Sequence, residues 1–114
     1  LFPGLPGQDP KGLLGRQLRG PGSVIAFEVK GGFDVAAPLL ASLRLITPAV
    51  SLGSTDTLIQ HPAALTHRLV EPAAKAEAGI TAGLLRISVG LEEADDLWAD
   101  LSRGLAAAGS ALAA

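Results

Sequence analysis

Apolar positions fall along this chain in blocks of changing period, separated by glycine and proline. Residues 24–29 (VIAFEV) are apolar everywhere except Glu28, which predicts a largely buried strand between Gly22 and the Gly31-Gly32 pair. Over residues 33–45 the period lengthens. Val35, Leu39 and Leu43, with Ala36 and Leu40, recur at helical spacing, and Asp34 stands where a first-turn carboxylate favours the helix dipole. Residues 45–51 (LITPAVS) predict a short strand, bent or at a sheet edge because Pro48 has no N–H for a ladder. A turn follows over residues 52–56, and residues 61–68 read as a turn with a short helix. Residues 71–78 predict a helix with Pro72 in its first turn and Gly79 as its stop. Residues 84–89 (LLRISV) predict a further strand, ended by Gly90. From Glu92 onward the pattern is helical, with Leu97, Leu101 and Leu105, beside Ala94 and Trp98, on one apolar face.

The two ends differ from this middle. Residues 1–22 carry so many glycines and prolines that they read as an extended hinge, with at most a short helix over residues 13–18. Residues 106–114 are small and uncharged and are expected to fray. Strands interleaved with helices that cover one face predict an α+β layer with a mostly antiparallel sheet.

Composition narrows the function. The 114 residues suffice for one compact domain. Nine Lys and Arg against eleven Asp and Glu give a net charge of −2, which argues against nucleic acid and against an anionic membrane surface. No apolar run has the length of a membrane span, about 18 residues, and the chain opens at Leu1 without a basic leader, so the cytoplasm is the default compartment. Cysteine is absent, which excludes disulfides, thiolate zinc sites and a cysteine nucleophile. The hydrophobic share is 48% and the charged share only 18%, so part of the surface is expected to be hidden against something else. The chain lacks an initiator methionine and reads as a piece of a longer one.

Few residues point to chemistry. His61 and His67 are six apart, a spacing that does not stack them on one helix face, and they read as structural or surface histidines with no metal site. Glu92, Glu93, Asp95 and Asp96 read as the acid-rich start of a helix rather than a catalytic pair. The 51–54 turn (SLGS) lacks the lysine and glycine spacing of a phosphate loop. Arg86 is more informative. It interrupts an apolar strand, and a desolvated guanidinium needs an anion: either Glu28 on a neighbouring strand or a ligand carboxylate held bidentately. The bare pattern favours the ion pair.

Read together, FPGLP (2–6), GPGSVIAFEVKGG (20–32), AVSLG (49–53), TLIQHPAALTH (57–67), GI (79–80) and LLRISVGLEEADDL (84–97) resemble the C-terminal domain of the Cys/Met-metabolism family of pyridoxal-phosphate enzymes. Order and spacing both match, and the wording is nearest to the methionine γ-lyase branch. The resemblance implies the small C-terminal domain of an aspartate-aminotransferase-type (fold type I) enzyme, with residues 1–22 the connector from a missing cofactor-binding large domain and residues 23–114 the small domain. It implies a homotetramer, pyridoxal phosphate bound mainly by the missing domain, and an amino-acid substrate. By resemblance, Arg86 matches the arginine that grips the substrate α-carboxylate, and Ser51 the serine beside it. Val50 stands where cystathionine-using members place Glu. None of Lys11, Lys30 and Lys75 lies in the family's Schiff-base motif, and there is no tyrosine, so this fragment holds no catalytic residue and is expected to be inactive alone. Gln8-Asp9-Pro10 and Leu65 depart from the commoner family wording. The implied activity is γ-elimination of a thiol. Alternatives are γ-replacement, as in cystathionine γ-synthase or a homoserine-ester sulfhydrylase, and a non-catalytic interaction module.

Overall fold

A computed structural model describes residues 1–112. Its elements are β1 (Val24–Glu28), α1 (Phe33–Ser42), β2 (Thr47–Pro48), β3 (Leu58–Gln60), α2 (Pro72–Glu77), β4 (Leu84–Ser88) and α3 (Ala94–Leu112). The strands form one mixed sheet in the order β1-β4-β3-β2, with β4 antiparallel to both neighbours and β2 parallel to β3. The fold is therefore α+β, as the periodicity predicts.

Strand alternation divides the sheet's residues between two faces. Ile59, Leu85 and Ile87 point to the side where Val35, Ala36 and Leu39 of α1 and Ala108 of α3 complete the core. α1 and α3 pack against each other so closely that a Cβ at Gly104 would stand 3.1 Å from the Leu39 carbonyl oxygen. α2 buries none of its residues, and Gly79 beyond its end takes a φ of +68°, which side chains disfavour.

Several elements differ from expectation. α1 stops at Ser42 rather than residue 45. The cause is the Asp100 carboxylate of α3, which accepts from the N–H groups of Arg44 (3.0 and 3.2 Å), Leu45 (2.9 Å) and Ile46 (2.8 Å) and draws them out of the helical ladder. The strand expected over 45–51 shrinks accordingly to Thr47–Pro48. Thr47 and Ala49 donate to the carbonyls of Thr57 and Ile59, so Pro48 occupies the outward position that needs no donor. β3 follows no expected strand, because TLIQ is too short to show a period. Residues 13–18 form a turn, not a helix, with Asp9 Oδ atoms accepting from Leu13 and Leu14 N–H at 2.9 and 2.8 Å. Residues 62–69 are turns, so the short helix expected within 61–68 does not form. The tail does not fray at 106, since α3 runs on to Leu112 and seats Ala108 in the core; residues 113–114 lie outside the described residues.

The apolar stripe of α3 is only partly covered. Leu97 and Leu101 pack against the core, but Trp98 is 66% exposed. Between α3 and the helix-side face of β1 opens an apolar cavity of about 770 Å³, lined by Ile25, Phe27, Leu97, Trp98, Leu101 and Leu105 among others. Among the described residues no helix is long and apolar enough to cross a membrane.

Asp100 is buried and also pairs with Arg103. Burial opposes its charge, but the N–H groups of Ile46, Arg44 and Leu45, with the Arg103 guanidinium, outweigh that and hold its carboxyl below the usual aspartate range. Asp100→Ala leaves those backbone donors without their acceptor and is expected to cost about 3 kcal/mol, measured by urea denaturation. Because the folded-state value is depressed, this stability is complete above the unfolded aspartate value of about 3.9 and is lost as pH falls through the lower folded value. Asp100→Asn should flatten that part of the pH–stability profile.

Candidate functional site

The face of the sheet away from α1 and α3 carries the other residues of each strand: Ala26 on β1, Arg86 and Ser88 on β4, Leu58 and Gln60 on β3. The segment from Ala49 to Gly53 leaves the edge strand β2 and reaches over this face to β4. Two hydrogen bonds fasten it: Arg86 Nη2 donates to the Ser51 carbonyl at 2.7 Å, and Gly53 N–H donates to Ser88 Oγ at 3.0 Å. Arg86 and Ser51, both singled out in the sequence, thus meet, with Val50 next to Ser51 along the chain. Ser51 meets Arg86 through its backbone, leaving its hydroxyl without a hydrogen bond among the described residues. Val50 is 58% exposed, so it does not fill this chain's core.

The Glu28 partner considered for Arg86 is not formed. Register sets Ala26 opposite Arg86 and Glu28 opposite Leu84, with Glu28 exposed at the edge. Among the described residues the one ion pair is Arg103–Asp100, so no carboxylate neutralises Arg86. Arg86 is half-buried in an apolar strand, and among the described residues the neutral Ser51 carbonyl is its one hydrogen-bond partner.

The remaining candidates are structural. His61 is 3% exposed; its Nε2 bonds the Ala82 carbonyl at 2.6 Å and its Nδ1 accepts from Ala64 N–H at 3.1 Å, while Phe33 packs edge-on against the ring. Both ring nitrogens are engaged within the chain. Glu92 and Glu93 precede α3, and only Asp95 and Asp96 occupy its first turn. Glu92 instead clamps the start of β3: Thr57 donates its N–H to Oε1 at 2.7 Å and its hydroxyl to Oε2 at 2.6 Å, and Thr57 Oγ1 accepts from Gly90 N–H at 2.9 Å. The Thr57 hydroxyl and N–H hold the Glu92 carboxyl below its usual range. Gly90 permits this junction, since a Cβ there would collide with the Thr55 carbonyl. Gln60, Ser88 and Thr57 were not signalled by the sequence, because polar residues in short strands carry no period of their own.

The chain matches the family described as "Cys/Met metabolism PLP-dependent enzyme" over residues 1–106, and it belongs to that family. It is 56% identical to the L-methionine gamma-lyase of Brevibacterium aurantiacum over 110 residues, which cover 96% of this chain and 26% of the relative. It is 50% identical to the L-methionine gamma-lyase of Porphyromonas gingivalis, covering 91% of this chain and 26% of that protein. The solved cystathionine gamma synthase of Xanthomonas oryzae pv. oryzae, in complex with aminoacrylate and cysteine, superimposes with a TM-score of 0.88 at 43% identity, covering 96% of this chain and 28% of that one. The chain therefore spans about a quarter of the length of the curated relatives it matches.

Glu92→Ala should release the β3 entry. Amide hydrogen exchange at Thr57 and Gly90 is expected to accelerate at least about tenfold, with Leu85 and Ile87 in the sheet centre unchanged; uniform acceleration would show that Glu92 acts on global stability instead.

Proposed function

We propose that this chain is the C-terminal, substrate-carboxylate-binding domain of a fold-type-I, pyridoxal-phosphate-dependent carbon–sulfur lyase of the methionine γ-lyase type. The observation that carries the reading is Arg86: a guanidinium without a carboxylate partner, held against Ser51 on the face of the sheet opposite the core. Residues 1–22 are the connector, residues 23–114 the small domain, and the apolar cavity beside α3 is covered by the rest of the protein, in the cytoplasm, within a homotetramer.

The residues of this chain do not fit the cofactor itself. Lys11 lies in the connector, Lys30 in the turn after β1, and Lys75 on α2, where it donates to the Arg68 carbonyl at 3.4 Å. None stands on β3, β4 or the 49–53 segment, so the large domain holds pyridoxal phosphate, which when bound supplies the electron sink for breaking bonds at the amino acid's Cα and beyond. This chain's part is to bind and orient. The planar guanidinium of Arg86 fixes the α-carboxylate, Ser51 flanks it, and the orientation of the rest of the amino acid follows from that anchor. The products would be a thiol, a 2-oxo acid and ammonia.

A second reading, γ-replacement, is supported by the likeness to the cystathionine gamma synthase fold. Val50 favours elimination from a thioether: its exposed apolar side chain suits an uncharged γ-substituent and offers no counter-charge to a distal ammonium.

Two measurements on the full-length protein test this. Arg86→Ala should raise KM for L-methionine and lower kcat/KM by a factor equivalent to about 2–5 kcal/mol, since a charge-assisted contact is lost. Wild-type kinetics in a folded Arg86→Ala protein would refute the assignment. In competition at equal concentrations, methionine should be consumed in preference to cystathionine, and Val50→Glu should narrow or reverse that preference. Cystathionine preferred by the unmodified protein would favour the second reading.

A further inference from the structure

Gln60 and Arg86 stand directly opposite each other on antiparallel β3 and β4, on the face that the 49–53 segment covers. Directly opposed side chains on one face start only about 5 Å apart at Cβ, within reach of both a glutamine amide and an arginine Nε. Gln60 is 3% exposed, and its Oε1 is buried without a donor; Arg86 Nε is buried without an acceptor. A stranded acceptor thus faces a stranded donor across one strand pair, and each is costly alone. The amide's oxygen and nitrogen exchange places by a half-turn, so the acceptor is free to turn toward the donor.

We propose that Gln60 is the positioning residue for Arg86, accepting the Nε–H and fixing the plane of the guanidinium. The proposal rests on the reading of Arg86 as the carboxylate ligand. Burial of Nε has a direct consequence for that ligand: an incoming carboxylate cannot use the Nε edge. One Nη2 N–H is already given to the Ser51 carbonyl. In this arrangement the Ser51 carbonyl takes the Nη2 hydrogen on the Nε side, and the Nη1/Nη2 end, with one outward N–H from each nitrogen, suits a bidentate carboxylate. Gln60 and Ser51 hold Arg86 from within the chain, and the end of the guanidinium meets the substrate.

The test uses the full-length, cofactor-loaded protein with three variants: Gln60→Met, of similar length without the amide acceptor; Gln60→Glu, which keeps an acceptor oxygen at the same reach; and Arg86→Ala. With L-methionine, Gln60→Met is expected to raise KM about tenfold with kcat within about twofold, the loss of one hydrogen bond to a charged group. Gln60→Glu keeps the Nε–H acceptor but sets a carboxylate against Arg86, cancelling the charge that receives the substrate, so it is expected to raise KM at least as far. A purely packing role predicts that the apolar Met leaves KM unchanged. That result alongside a raised KM in Arg86→Ala would overturn the proposal, as would a wild-type KM in a folded Gln60→Glu protein. If Arg86→Ala itself leaves KM unchanged, the reading of the site fails and the proposal fails with it. Thermal unfolding and the absorbance of the bound cofactor in each variant separate these outcomes from loss of fold.

Discussion

Much of this architecture depends on one buried carboxylate. Asp100 of α3 takes the N–H groups of three successive residues, Arg44, Leu45 and Ile46, which would otherwise have continued α1 or been left without partners. The same contact sets where α1 ends, ties α3 to the chain leaving α1, and delivers Ile46 into the core immediately before β2. Thr47 and Ala49 then pair with β3, and that pairing sets the direction in which Val50 and Ser51 leave the sheet edge. Ser51 reaches Arg86 because this sequence of constraints aims it there. A carboxylate on the core side of the fold thus decides the geometry of a site on the opposite face. Its desolvation is outweighed by convergent backbone donors and the neighbouring Arg103, an arrangement in which the ionised form is the stable one.

The site follows from the two-residue period of β4. Leu85 and Ile87 must face the helices, so Arg86 between them must face away. With Glu28 displaced along β1 by register, no carboxylate among the described residues pairs with Arg86. A neutral carbonyl orients the guanidinium without cancelling its charge. In this it differs from Arg103, whose charge is paired with Asp100.

Legibility in the sequence tracked how far each feature depends on local pattern. β1, β4 and the three helices announce themselves by period and by their glycine and proline boundaries, and Arg86 stands out as the polar residue within an apolar run. β3 does not, because three residues cannot display alternation and their burial comes from neighbours distant in sequence. Asp100 reads as an ordinary polar position on an amphipathic helix; only the fold brings Arg44 to it, 56 residues away. Glu92 was legible as an acid near a helix start, yet its partner Thr57 lies 35 residues upstream, and the contact makes it a clamp on β3 rather than a dipole ligand. The alanine-rich tail lacks large apolar residues, but Ala108 is buried because its smallness suits the close approach of α1 and α3.

The two faces of the sheet carry different unfinished business. On the helix side, β1 and α3 leave an apolar cavity of about 770 Å³ with Trp98 at its wall, surface that gains stability only when covered. On the other side, Arg86 keeps a free end of its guanidinium, and an apolar cover there would strand a charge. The two faces thus make opposite demands, apolar cover on one and an open approach on the other. Because adjacent residues of a strand point to opposite faces, β4 links both faces within three residues: Leu85 and Ile87 belong to the core, and Arg86 to the opposite face. A shift of register by one residue would exchange them, burying the guanidinium in the core and exposing two core side chains. The antiparallel pairing of β4 with both β1 and β3 opposes such a shift, so the strand order that builds the core also fixes the face that presents Arg86.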